Sequence, residues 1–330
     1  MKKSLYIFSD GELKRKDNTL VYETQAGKRY FPVEDTKEIM AFGEVTFNKS
    51  LLEFLSQKEI LVHYFNYYGY YMGTFYPREH LNSGYMILKQ AEHYQDDEKR
   101  LALARSFVSG AFRNIRQVLK YYQNRGRDLS KVIEVIENEA KAIDTCSEVS
   151  QLMAVEGHIR DSYYEAFDVI INNKDFEFQQ RTRRPPKNNL NVMISFCNSI
   201  LYTMILSEIY KTHLDPRIGF LHTTNFRRFT LNLDVAEIFK PIIVDRIIFS
   251  LLDKKMITKN DFERDAEGLL LKDKAKKVII EEFDKKLETT IKPKKLGRSV
   301  SYRRLIRLEL YKLEKHLMGE QLYEPFVATW

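Results

Sequence analysis

The chain has 330 residues, of which 44% are hydrophobic and 30% charged, with 13 Gly, 8 Pro and 2 Cys. This ordinary globular composition excludes collagen-like, low-complexity and disordered chains, and at about 150 residues per domain it suggests two domains. Cys146 and Cys197 are too few for a disulfide framework and have no paired metal-ligand spacing. No unbroken apolar run approaches the roughly 18 residues of a membrane span. The stretch after Met1-Lys2-Lys3 stops at Ser9-Asp10, too early for a signal peptide. The expectation is a cytoplasmic protein with no membrane partner.

Residues 1–80 read as β. The runs Ser4–Phe8, Thr19–Thr24 and Lys28–Val33 are parted by the turn signals Asp10-Gly11, Asp17-Asn18 and Ala26-Gly27. Eight of the 13 residues from Tyr64 to Tyr76 are Tyr or Phe. So many aromatics could stack nucleic-acid bases, but they more commonly pack a sheet face or a subunit interface. The pattern changes near Pro77. Residues 81–330 follow helical spacing, broken at Gly126, Pro185-Pro186, Asp215-Pro216 and Pro293. The expected fold is α+β with the two kinds of structure segregated: a small N-terminal all-β domain, then a larger all-α C-terminal domain. Nothing local decides whether the tail, Gln321 to Trp330, frays or docks on a partner.

Within the helical region Glu156 stands out. Val149, Leu152, Ile159, Tyr163, Ala166 and Ile170 trace one apolar stripe, and Glu156 falls on it. An ionised carboxylate there is costly unless it pairs with a cation, as in a buried Glu–Arg pair, or binds a metal. The adjacent Gly157 costs about 1 kcal/mol in a helix interior, which would be explained if something must approach the backbone there. His222 follows Asp215-Pro-Arg-Ile-Gly-Phe-Leu, a turn anchored by Phe220 and Leu221. It reads either as a satisfied core histidine or as a ligand presented from a fixed point. Asp234 and Glu237 lie three apart at the start of an apolar helix. That spacing suits a capping box and equally lets both carboxylates reach one cation. Carboxylates with a single imidazole suit Mg2+ or Mn2+ better than zinc. The chain lacks a Walker A loop and the G-x-G-x-x-G, G-x-S-x-G and H-E-x-x-H motifs, which argues against P-loop hydrolases, Rossmann enzymes, serine hydrolases and zincins.

The net charge of +7 is concentrated in one place. Leu271 to His316 carries 15 basic and 7 acidic residues, a local +8. A smaller basic run is Arg181, Arg183, Arg184 and Lys187. Such patches attract polyanions by counterion release, although a solvated helix face has the same composition.

The ordered set Glu156-Gly157, Asp215-Pro216 with Gly219-Phe220-Leu221-His222, and Thr230-Leu-Asn-Leu-Asp234-Val-Ala-Glu237-Ile-Phe-Lys-Pro241 resembles the CRISPR-associated endonuclease and integrase of spacer acquisition, the Cas1 family. Arg183-Arg184-Pro185-Pro186-Lys187-Asn188-Asn189-Leu190-Asn191 resembles that family's central region. The likeness runs the length of the chain and is nearest to members from type I systems. It implies a metal-dependent DNA endonuclease and integrase. Glu156, His222 and Glu237 would be the metal ligands and Asp234 a supporting acid. It further implies a homodimer formed through the β domain, and a heterohexameric complex with a small second Cas protein, Cas2. The complex would join the 3′-hydroxyls of a short DNA to the repeats of a CRISPR array. The expected substrate is double-stranded, branched or repeat-containing DNA, held by Arg183, Arg184, Lys187, Arg227, Arg228, Lys240, Arg303, Arg304 and Arg307. Lys240 departs from the family, which usually has Arg there and with it a bidentate grip on phosphate. The residues alone leave two other readings open, a non-catalytic DNA-binding scaffold and a metal-independent RNA nuclease using His222.

Overall fold

The computed structural model describes residues 2–78, 81, 83–183, 185–224, 229–265, 268–293 and 296–329. The chain divides into two units, Met1–Asn82 and Ser83–Trp330.

The first unit is two four-stranded sheets. One has the order β1-β5-β7-β8, from Lys3–Ile7, Thr36–Ala41, Leu61–Phe65 and Tyr71–Phe75. Its first three strands are parallel, and β8 returns antiparallel to β7. The other has the order β4-β3-β2-β6, from Gly27–Pro32, Thr19–Thr24, Gly11–Lys16 and Val45–Phe47. Alternating strand residues send Leu13, Leu20, Tyr22, Ile39 and Val62 into a shared core. One helix, α1 (Lys49–Gln57), joins that core through Leu51, Phe54 and Leu55. Their i, i+3, i+4 spacing is helical, and the Asn48 side chain caps the helix by accepting from the Leu51 amide at 2.9 Å. A purely β reading of residues 1–80 passes over this helix.

The second unit opens with α2 (Gly84–Gln95), the 27-residue α3 (Asp97–Gln123), α4 (Ser130–Glu139) and α5 (Val149–Ile171). There follow α6 (Asn189–Ile209), α7 (Leu231–Phe239) and α8 (Arg246–Asp253). A short hairpin, β9–β10 (Phe262–Arg264 and Leu269–Leu271), leads to α9 (Asp273–Glu288). A second, β11–β12 (Thr290–Ile291 and Val300–Ser301), leads to α10 (Tyr302–Leu317). By length and composition α6 could cross a membrane, with a mean hydropathy of 1.5, yet 89% of that window is buried inside the protein. Counting unbroken apolar runs misses it because Asn191, Ser195, Ser199, Thr203 and Ser207 interrupt the run. It is the central helix of the unit, buried on nearly every face.

Between α7 and α8 the backbone widens into a π-helical turn over Pro241–Asp245. Pro241 has no N–H to give the Glu237 carbonyl four residues back, and the Asp245 amide instead reaches the Lys240 carbonyl, five residues back, at 3.0 Å. The irregular turn therefore starts one helical turn beyond Glu237.

Candidate active site

Three segments build the site: the middle of α5, the loop 212–224, and α7 with its π turn. The loop is fixed before it reaches His222. The Gln90 side chain on α2 accepts from the Asp215 amide at 2.7 Å and donates to the carbonyls of Asp215 and Ile218, both at 3.1 Å. Arg100 on α3 donates to the Phe220 carbonyl at 2.9 Å. Thr230 and Leu231 send their amides to the Pro216 carbonyl, which ties the loop to the start of α7.

Asp234 completes the fixation. Its fully buried carboxylate accepts from the backbone amides of Phe220 (2.5 Å), Leu221 (3.0 Å) and His222 (2.9 Å). It also meets His222 Nδ1 at 2.7 Å. Asp234 is therefore the hub of a turn and not a helix cap, as the capping-box alternative would have it. Gly219 is required here: a Cβ at that position would lie 2.9 Å from Asp234 Oδ2 and 2.8 Å from the Thr230 backbone. With Nδ1–H donated to the carboxylate, Nε2 is the ring's remaining acceptor. Burial disfavours the charged imidazole, but the hydrogen bond and charge of Asp234, with help from Glu237, raise the His222 pKa above its ordinary value.

Glu156 and Glu237 face each other across α5 and α7. Burial pushes the Glu156 pKa up, and the neighbouring Glu237 carboxylate pushes it further. Burial opposes ionisation of Glu237 as well, yet Lys240, Arg160 and His222 outweigh it and hold its carboxyl well below the usual range. Arg160, one helical turn after Glu156, donates to Glu237 Oε2 at 2.7 Å and reaches Glu156 Oε1 at 3.4 Å. Lys240 donates to the other Glu237 oxygen and lies 5.2 Å from the centre of the Tyr202 ring. Beyond Arg160, burial lifts the Asp245 carboxyl to about 7, against the pull of the guanidinium. The sequence reading allowed for an arginine partner of Glu156 without naming one. The signal was the i, i+4 spacing of Glu156 and Arg160. Gly157, in contrast, faces open space and has no close neighbour among the described residues.

The structure thus gathers Glu156, His222, Asp234, Glu237 and Lys240. Among the described residues no three His, Cys, Asp or Glu side chains stand at the spacing of a closed metal centre; both Glu237 oxygens are engaged by cations. The donor set itself, two carboxylates and one oriented imidazole, is chemically suited to Mg2+ or Mn2+. The basic residues scatter. Arg183 and Lys187 are exposed in the loop between α5 and α6, whereas neighbouring Arg181 turns inward onto Asn191 and Ser195. Arg303 and Arg307 face inward on α10 and pair with the buried Glu208 of α6, while Arg304 is exposed. Arg184, Arg227 and Arg228 lie outside the described residues.

Comparisons with known proteins cover nearly the whole chain. The family described as CRISPR associated protein Cas1 matches residues 5–285. A CRISPR-associated endonuclease Cas1 of Thermodesulfovibrio yellowstonii is 63% identical over 330 residues, covering both chains completely. The solved Cas1 protein of Thermotoga maritima superposes with a TM-score of 0.89 at 48% identity, covering 98% of this chain and all of that one. A casposase bound to its integration product shares the fold, with a TM-score of 0.88 at 21% identity over 99% of this chain and 93% of that one. The family model and the relatives at 63% and 48% identity define a CRISPR-associated protein. The chain belongs to the Cas1 family.

Proposed function

We propose that the protein is a metal-dependent DNA endonuclease and integrase. It would insert short foreign DNA segments into a CRISPR array through attack of a DNA 3′-hydroxyl on a repeat phosphodiester. The observation that carries this reading is the meeting of Glu156 and Glu237 beside an imidazole locked by Asp234. Glu156, His222 and Glu237 would hold Mg2+ or Mn2+. When bound, the ion supplies charge for the scissile phosphate and activates the attacking oxygen. The chain's own residues do the rest. Asp234 fixes the tautomer and direction of His222, so that a lone pair on Nε2 is available without side-chain reorganisation. Arg160 and Lys240 neutralise Glu237 and keep two facing carboxylates from repelling each other apart. The exposed Arg183, Lys187 and Arg304 carry positive charge for the DNA backbone, contacts that position a duplex without reading its sequence. The family likeness supports a homodimer through the β unit and assembly with Cas2.

The test is strand transfer and cleavage on branched or repeat-containing DNA with Mg2+, with Mn2+ and with EDTA, for the wild type and for His222→Ala. Products that need the ion and vanish in the variant are expected. Products that persist in EDTA would overturn the metal site, and a wild type inactive both alone and with Cas2 would overturn catalysis.

A further inference from the structure

Residues 321–329 form no helix or strand, yet Tyr323 to Ala328 are tied down along their length. The Tyr323 amide donates to His316 Nδ1 at 3.2 Å, and its hydroxyl to Glu309 Oε1 at 2.7 Å. The same Glu309 oxygen accepts from the Phe326 amide at 3.0 Å, and Lys312 donates to the Glu324 carbonyl at 2.5 Å. The Phe326 ring stacks on Phe239 of α7, with centroids 6.2 Å apart and planes 7° from parallel. Ala328 and Glu309 are buried almost completely.

Asn114, fully buried on α3, joins this segment to the active-site helix. Its amide group donates to the Phe326 carbonyl at 2.9 Å and to the Ile238 carbonyl at 3.0 Å, while its oxygen accepts from the Ala328 amide at 2.8 Å. Ile238 follows Glu237 directly. Its carbonyl lies where the α-helical ladder gives way to the π turn, and Asn114 gives it a donor there. One turn earlier on α3, Gly110 makes room for the segment: a Cβ there would fall 2.6 Å from Pro325 Cβ and 3.4 Å from Ile238 Cγ1. The sequence therefore places a glycine and an asparagine four apart on α3, both facing the C-terminal segment and Ile238, the residue after Glu237.

We propose that Tyr323–Ala328, clamped by Asn114 and Glu309, is a strap that sets the position of α7 and hence of Glu237 and Asp234. The C-terminal segment is on this view a positioning element of the active site. The proposal rests on the reading of Glu156, His222 and Glu237 as the catalytic centre. The strap touches none of the reacting groups and acts through the α7 backbone. Displacement of a catalytic group by about 1 Å can cost on the order of 100-fold in rate.

The experiment compares the wild type, the full-length Phe326→Ala and Asn114→Asp variants, and a chain ending at Gln321. Asn114→Asp keeps the acceptor for Ala328 and removes the donor to Ile238 and Phe326. Two quantities are read below the melting temperature of each protein: strand-transfer kcat and KM on branched DNA, and hydrogen exchange of residues 231–245 without metal or DNA. We expect kcat to fall at least tenfold with KM within threefold, and α7 amides to lose protection while those of α4 keep theirs. A synthetic peptide of residues 322–330 added to the shortened chain should restore kcat to within threefold of the wild type. A kcat within twofold of the wild type, unchanged α7 exchange, or a rise in KM alone would overturn the strap, the last assigning the segment to DNA binding. If the shortened chain does not fold, the two full-length variants decide by the same criteria. A wild type without strand transfer would strike the function reading instead, and hydrogen exchange alone would then judge the strap.

Discussion

Among the described residues of the helical unit, the clusters around Glu208 and Glu237 both bury carboxylates with cations, and they are assembled in opposite ways. Around Glu208, one carboxylate meets three cations: Arg307 in direct contact, Arg303 at 3.6 Å and Lys211 at 3.9 Å. Around Glu237, a second carboxylate, Glu156, is pressed against the first, and Asp234 stands behind an imidazole whose side chain is 25% exposed. Where cations outnumber the carboxylate, its charge is already balanced and the cluster holds helices together. Where carboxylates crowd each other, a further cation would offset part of the cost of burying them that Arg160 and Lys240 leave. The count and kind of groups, more than burial itself, separate the two clusters, and on the proposed function they mark the second as the one that would take an ion.

Paired deletions break this comparison most directly. Glu237→Ala and Glu208→Ala each strand buried guanidinium or ammonium groups, and each should lose about 3–5 kcal/mol in urea unfolding. Their activities should differ completely. Strand transfer per folded molecule at low temperature should disappear in Glu237→Ala and survive in Glu208→Ala. Equal inactivity of the two folded variants would show that the Glu208 cluster also serves the chemistry.

Glu156→Gln isolates the crowding. It removes one of two facing negative charges and keeps the side chain's shape. Activity should be lost while the metal-free protein gains about 1 kcal/mol, because like-charge repulsion at Glu237 is relieved. A loss of stability in that variant would mean that the contact with Arg160 outweighs the repulsion. Asp234→Asn comes next in size. An amide cannot accept all four N–H groups that converge on Asp234, and it leaves the His222 tautomer unfixed. Strand transfer should fall by about 10- to 100-fold, the usual cost of losing such a partner, with a stability loss of about 1–3 kcal/mol for the unsatisfied amides. Kinetics and urea unfolding of the same preparation check both figures.

These clusters also show what could be read from the chain alone. Glu156 was visible because a carboxylate on an apolar stripe needs a cation beside it, whether an arginine or a metal. His222, Asp234 and Glu237 were visible through their order along the chain. The hub role of Asp234 was not, because its four donors lie 12 to 14 residues away in sequence and only the folded loop brings them together. The segregated β-then-α order was legible from periodicity. Helix α1 was not, because its nine residues sit inside a stretch of strand signals. Arg303 and Arg307 show the limit of counting charge. A composition of +8 says how many cations there are but not which way they point. These two lie four apart and share a face with buried Leu310 and Glu314, so the helical spacing of residues 303–314 carried the direction.

Arginine direction gives the finest of the tests. Arg304 stands exposed beside Arg303, and its neighbouring ring is Tyr311 on its own helix. Arg304→Ala should leave unfolding within about 0.5 kcal/mol of the wild type. If the outer face of α10 meets DNA, the slope of log affinity against log salt should shrink by about 0.9, the contribution of one phosphate contact on a duplex. Arg307→Ala should do the reverse, keeping the salt slope and lowering stability, since it removes the direct partner of buried Glu208. Salt titrations of DNA binding, run beside unfolding curves for both variants, separate the outward arginine from the inward one. A slope lost with Arg307 and kept without Arg304 would reverse the assignment, making the Glu208 cluster part of the DNA surface.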